Sequence, residues 1–226
     1  ANTQRISKRR ISMKRVVPIF LLIGAILALS SCKVSGPQVI SSDGKSYEMI
    51  TAKDGGRVTD ESGNLIVAAT DADGNDVTEV ITDDYLIVQD DKLMAPAYDL
   101  EIPEDFEVKS NDTNPLLENK QGTIQFNIMD KTKVASDFES YVEDTFRSAS
   151  ASGLATGELE DVTIKDVPMK RFAMAMTDDD GTAIEAYGYM VQINNRILMI
   201  TLTSKDGGLA DVSAADEFVA GIDFLN

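Results

Sequence analysis

Between Val39 and Leu93 the chain is interrupted by turn signals too often to hold a long element. Glycines stand at 44, 55, 63 and 74, separated by 11, 8 and 11 residues. Two of the surrounding segments align residue by residue: Thr59-Asp60-Glu61-Ser62-Gly63-Asn64 and Thr70-Asp71-Ala72-Asp73-Gly74-Asn75. Short strand-forming runs lie between them, such as Leu65-Ile66-Val67 and Val77-Thr78-Glu79-Val80-Ile81. Helices need longer uninterrupted runs, whereas hairpins need a turn residue every few positions. Residues 39–93 are therefore expected to form a small β-hairpin or meander region. Its large side chains are few, so its stability in isolation would be marginal.

One turn in this region admits a second reading. Asp71-Ala72-Asp73-Gly74-Asn75-Asp76 resembles a calcium loop, with oxygen donors on Asp71, Asp73, Asn75 and Asp76. The EF-hand loop has glycine at its sixth position and a bidentate glutamate at its twelfth. Here those places hold Asp76 and Thr82. The competing reading gives Gly74 a positive φ in a hairpin turn and leaves the acids solvated, because turns favour the same residues.

From about Pro96 the elements lengthen. Tyr98–Ile102 and Thr123–Met129 alternate as strands. Val134, Phe138, Tyr141, Val142, Phe146 and Ala149 fall at helical spacing, with Ser136 or Asp137 to open the helix and Gly153 to end it. Strands over Met169–Thr177, Ala183–Ile193 and Arg196–Thr203 follow, joined by Asp178-Asp179-Asp180-Gly181 and by Asn194-Asn195. Glu158–Asp166 adds a further candidate strand. Ile197–Leu202 is nearly all apolar and predicts a central strand covered on both faces. Ser213 opens a last helix, with Phe218, Val219 and Ile222 facing inward. Residues 96–226 are expected to form an α+β domain, an antiparallel sheet with packed helices.

Composition narrows the chemistry. There is no histidine, and the one cysteine is Cys32. Imidazole-based acid–base catalysis, Cys–His nucleophiles, intramolecular disulfides and the usual zinc ligand sets are excluded. Six basic residues and no acid precede Ser31, which leaves 15 basic against 38 acidic residues from Cys32 onward, a net charge of −23. So acidic a surface repels phosphate backbones and argues against nucleic-acid binding.

The basic residues at the start belong to a different signal. Residues 1–12 read as a non-native upstream extension, and Met13-Lys14-Arg15 as the start of a signal peptide spanning 13–31. Val16–Leu29 is uncharged and mostly apolar, but shorter than the ~20 apolar residues of a membrane-spanning helix. Leu29-Ser30-Ser31-Cys32 closely resembles the bacterial lipobox. The resemblance implies cleavage between Ser31 and Cys32 and a diacylglyceryl group on the Cys32 thiol. Two acyl chains hold a protein stably, where one holds it only reversibly. Residues 32–38 then form a lipidated tether reaching roughly 20 Å when extended.

The later half has a resemblance of its own. A short strand ending in Ile102-Pro103-Glu104, a helix, two long hairpins, the return Asn194-Asn195-Arg196-Ile197 and a close on "FVAGIDF" (Phe218–Phe224) resemble the PsbP-like family. That family includes an extrinsic lumenal subunit of photosystem II and a form that binds a small GTPase, and such domains also occur in bacterial lipoproteins. The resemblance implies a PsbP-like sandwich over 96–226 that binds or assembles rather than catalyses, and it carries over no functional residue. The leading expectation is a non-catalytic binding or assembly module with an unknown protein partner. It is held by lipid at the extracytoplasmic face of the cell membrane, with no cofactor beyond the lipid. Weak calcium or cation capture by the turns at Asp71–Asp76, Asp83-Asp84 and Asp178–Asp180 is the alternative. A carboxylate-dependent envelope hydrolase comes last, because nothing in the sequence sets two acids across a cleft.

Overall fold

Four glycine turns share one backbone device. In the computed structural model, which describes residues 37–53, 55–109, 112–177, 181–204 and 211–225, the segments 41–45, 52–56, 60–64 and 71–75 close identically. In each, the first N–H donates to the fifth carbonyl, and the N–H of the glycine in fourth place donates to the first carbonyl. Gly44, Gly55, Gly63 and Gly74 have φ between 79° and 86°. This is the three-residue hairpin loop, a type I turn followed by a left-handed residue, for which glycine carries no steric cost.

The strands follow from these turns. The first turn joins β1 (Gln38–Ser41) to β2 (Ser46–Met49), and the fourth joins β3 (Leu65–Thr70) to β4 (Asp76–Ile81). Three short strands come next: β5 (Tyr85–Gln89), β6 (Lys92–Met94) and β7 (Tyr98–Glu101). Beyond them lie β8 (Glu107–Val108), β9 (Leu116–Glu118) and the long β10 (Gly122–Asp130), which leads into α1 (Phe138–Ala151). A run of long hairpins then comprises β11 (Ala155–Ile164), β12 (Val167–Thr177), β13 (Ala183–Ile193) and β14 (Arg196–Ser204). The described chain ends with α2 (Val212–Ala220) and β15 (Asp223–Phe224). All strand pairs are antiparallel and build two sheets. One runs β15-β7-β6-β5-β1-β2-β3-β4, the other β11-β12-β13-β14-β10-β9-β8.

This corrects the α+β expectation of a sheet sandwiched by helices on the PsbP-like pattern. Of the described residues, 52% are strand and 15% helical, so the fold is mostly β. The reason lies in what covers the inner face of the seven-stranded sheet. Ile124, Phe126, Leu198, Ile200, Leu202, Tyr189 and Val191 on that face share one buried cluster with Leu86, Leu93, Tyr98 and Leu100 of the other sheet. Tyr98 stacks on Phe126 with ring centroids 4.8 Å apart. Strands from 39–93 thus enter the same sheet as β7 and β15, and Val34–Asn226 groups as one compact unit. α2 adds Ala215 and Val219 to this core.

α1 covers the opposite face of the seven-stranded sheet. Val142 is buried there among Phe172, Met174, Ala186, Met190 and Ile197. Asp137 caps its start by accepting from the Ser140 N–H at 2.9 Å. At its end the Leu154 N–H donates to the Ala149 carbonyl, and that of Gly153 to Ser150, the paired bonds of a Schellman motif. Gly188 lies under α1 for want of room. A Cβ there would stand 3.0 Å from the ring of Phe172, which meets Phe146 of α1 edge-on at 5.6 Å. β14, the apolar Ile197–Leu202 run, lies fourth of seven strands, with Leu198, Ile200 and Leu202 toward the other sheet.

The Tyr98 hydroxyl is buried with no hydrogen-bond partner among the described residues. An unpaired buried hydroxyl costs about 1–3 kcal/mol, whereas the ring's stacking survives its removal. Tyr98→Phe is therefore expected to match or exceed the wild type in urea denaturation. A loss above about 1 kcal/mol would show that the hydroxyl is satisfied after all.

Candidate functional site

Adjacent residues of a strand point to opposite faces, so the consecutive cations Lys170 and Arg171 of β12 serve two different layers. Lys170 Nζ lies 2.7 Å from Glu139 of α1 and 2.7 Å from Asp161, its register partner on β11. Arg171 Nη1 donates to both carboxylate oxygens of Asp216 on α2, at 2.8 and 2.7 Å. Its Nε and Nη2 donate to Glu160 at 3.0 and 2.5 Å. Tyr189, opposite Arg171 on β13, donates its hydroxyl to Asp216 Oδ1 at 2.7 Å. Burial pushes the Tyr189 phenol well above its ordinary value, and its bond to Asp216 adds to the shift. Burial opposes the charge on Arg171, but the bonds to Asp216 and Glu160 outweigh it. The group holds its protons firmly, which suits a fastening and not proton transfer.

A second fastening lies in the eight-stranded sheet. Arg57 donates to the Tyr85 hydroxyl at 3.0 Å and to the Ala95 carbonyl at 2.8 Å, and it pairs with Asp99. Burial raises Asp99 above the usual carboxylate range, against the pull of Arg57, and nearby Asp223 raises it further. Asp99 borders a cleft of about 420 Å³ with Asp90, Asp91, Glu101 and Asp223. Among the described residues, no group of three or more His, Cys, Asp or Glu side chains is placed to hold a metal ion.

The sequence singled out other residues. Ser31, Cys32 and Asp178–Asp180 lie outside the described residues. Asp71 opens the β3–β4 turn, where its Oδ1 accepts from the N–H groups of Asp73 at 2.9 Å and Asn75 at 2.8 Å. The Asn75 amide donates to Oδ2 at 3.0 Å. Asp60 does the same with Ser62 and Asn64 in the preceding turn, where no acid stands in place of Asp73. Turn chemistry thus accounts for Asp71 without an ion. Asp73 and Asp76 are exposed. Asp84 pairs with Arg196 at 3.0 Å, tying the loop after β4 to β14. Sequence reasoning passed over Arg57 and the Lys170-Arg171 pair. The latter had a readable signal: two adjacent charges inside an otherwise apolar strand need partners on both faces.

A concavity of about 780 Å³ lies between the β1–β2 and β3–β4 hairpins. β2 and β3 pair only at Glu48↔Ala68 and Met49↔Val67, whereas β3 and β4 pair over all six residues from Leu65↔Ile81 to Thr70↔Asp76. Beyond Glu48↔Ala68 the two hairpins part. Ser46, Tyr47, Ala69 and Thr70 line the gap together with Glu48, Asp76 and Glu79.

Two expectations follow. Asp216→Ala removes partners from both Arg171 and Tyr189 and is expected to cost about 1–2 kcal/mol in urea denaturation, a figure reduced because Asp216 is about one-third exposed. No loss would remove the fastening role. Asp60 and Asp71 are held below their ordinary value of 3.8, first by the Asn64 and Asn75 amides and then by backbone N–H groups. A lowered folded value stabilises above the unfolded value and is lost as pH falls through the folded one. The stability lead of wild type over D60N/D71N, which keeps the turn but not the charge, should therefore shrink as pH falls below about 3.8. A lead unchanged at about pH 2.5 would disprove this.

No family model matches this chain, and no curated protein matches it. Among solved structures, the chain is similar to a Bacteroides thetaiotaomicron protein whose crystal structure was determined at 1.50 Å. The identity is 15% and the TM-score 0.41. The likeness covers 57% of this chain and 45% of that one, so this chain spans less than half the length of that protein.

Proposed function

We propose that this chain is a lipid-anchored, extracytoplasmic binding or assembly module of a bacterial envelope, with no catalytic chemistry of its own. The observation that carries the reading is Leu29-Ser30-Ser31-Cys32 behind an apolar run and a basic start. The lone thiol then has one role, attachment through a thioether. The residue types in the body support the rest. Histidine is absent, and the least exposed cations are bound to carboxylates that join one element to another. Such pairs hold a scaffold together and leave its surface to do the work of recognition.

Metabolic labelling with palmitate and membrane fractionation test the anchor. Wild type is expected to be labelled and to sediment with membranes, and Cys32→Ala to be unlabelled and to leave them. A Cys32→Ala protein that still fractionates with membranes would overturn the anchor. Affinity capture from membrane extract, together with ligand-dependent shifts in melting temperature, tests the module. If neither yields a partner or ligand, the binding role is lost.

A further inference from the structure

We infer that the outer edge of β4 pairs antiparallel with the same edge of a second copy of this chain, about a twofold axis through Thr78.

Among the described residues, β4 is the one sheet edge left open. Of the other three edges, β15 and β8 are two residues long, and β11 breaks its register between Thr156 and Glu160. Short strands and bulges are what keep edges from pairing. β4 has neither, nor any proline or glycine, and its six residues pair in unbroken register with β3. The turn fixes which of its backbone groups stay free. The Asp71 N–H donates to the Asn75 carbonyl, so Ala69↔Val77, Val67↔Glu79 and Leu65↔Ile81 are the hydrogen-bonded pairs of the ladder. Asp76, Thr78 and Val80 therefore turn their N–H and C=O groups outward, where no described strand lies. Val77 and Val80 are 37% and 50% exposed, two of the five large apolar residues standing exposed among those described.

This edge is complementary to itself. With Thr78 on the axis, Thr78 meets the second copy's Thr78, and Asp76 meets the second copy's Val80, in hydrogen-bonded pairs. All three outward residues of each strand are then used. Between them Val77 meets the second copy's Glu79, and no acid stands opposite an acid. An axis through Glu79 would instead set two carboxylates face to face. One through Val77 would place Val80 against the turn at Gly74.

Net charge does not forbid the contact. β4 lies four strands out from β5, where contact with the other sheet begins, about 19 Å at ~4.8 Å per strand. Two joined sheets thus hold their packed bodies roughly 40 Å apart, several Debye lengths at physiological salt. The repulsion that persists is local, between two Glu79 side chains that become diagonal neighbours roughly 7–8 Å apart. A strand pair with no packed face buries little surface, so the association is weak and transient.

The test uses the full chain in detergent, with Cys32→Ser so that an introduced cysteine is the only thiol. Under mild oxidation T78C is expected to form a disulfide-linked dimer, because paired Cα atoms there lie about 5.5 Å apart, within disulfide reach. E61C, on an exposed turn away from the edge, measures chance collision and is expected to react about tenfold more slowly or less. D76C and V80C are expected to cross-link when mixed and not singly. Sedimentation of the chain without introduced cysteine reads the affinity. Thr78→Pro removes two hydrogen bonds of the dimer by symmetry but none of the β3 ladder. It is expected to weaken association about tenfold or more, with the melting temperature unchanged. Raising salt from about 0.05 to about 0.5 M is expected to strengthen the wild-type association by screening Glu79. T78C reacting no faster than E61C would overturn the pairing, as would D76C or V80C reacting singly. So would T78P associating like wild type, or association that salt weakens. In crude membrane extract, a T78C adduct whose mass is not that of two copies would give the edge to a different protein and overturn the pairing too.

Discussion

The structure depends on burying the inner face of the seven-stranded sheet, which the other sheet covers together with α2. Phe126, Ile200 and Tyr189 lie in one row across β10, β14 and β13, and Tyr98 from the other sheet closes on Phe126. Each such side chain contributes about 1.5–3 kcal/mol when fully buried. The eight-stranded sheet supplies those contacts from β5, β6 and β7, and the buried side chains of the N-terminal hairpins form an adjoining cluster with Tyr85, Ile87 and Met94 of β5 and β6. Their marginal stability in isolation therefore has little bearing on the whole. The inner face also continues without a break into polar chemistry, because the same row runs on through Arg171 to Glu160.

Cations are scarce in this chain, and where they lie shapes the rest. Arg57, Lys170, Arg171 and Arg196 have side chains only 12–19% exposed, each against carboxylates from other elements. Asp99, Glu139, Asp216 and Asp84 are the acids so engaged. With 38 acids in the chain, most of the negative charge is left outside these pairs. The field of the body is accordingly anionic, and it draws cationic partners toward it while keeping anionic ones away.

Local periodicity made most single elements legible. The alternation of Ala183–Ile193 and the all-apolar Ile197–Leu202 mark β13 and β14, and Asp137 and Gly153 bracket α1 closely. What periodicity withholds is the identity of the covering layer. Alternation in β10 says that one face is apolar, but a sheet and a helix satisfy it equally. The decisive pairings, Val39 with Ile87 and Tyr98 with Phe224, join residues distant in sequence and leave no local trace. The site was less legible still. Lys170-Arg171 announced itself by breaking an apolar strand, but the gap beside β2 is a rung missing from a ladder, and register is invisible until both strands are placed.

The same turn chemistry that builds the hairpins explains why that rung is missing. Glycines at 44, 55, 63 and 74 leave a short arm at 57–59 between two six-residue arms, 46–51 and 65–70. The short arm occupies the start of β3, and β2 takes the middle. At the far end each hairpin is tied by its own turn, Ser41–Lys45 on one side and Asp71–Asn75 on the other. Neighbouring strands rotate against one another by roughly 20–25°, so two rungs do not hold the free ends of two independently tied hairpins together.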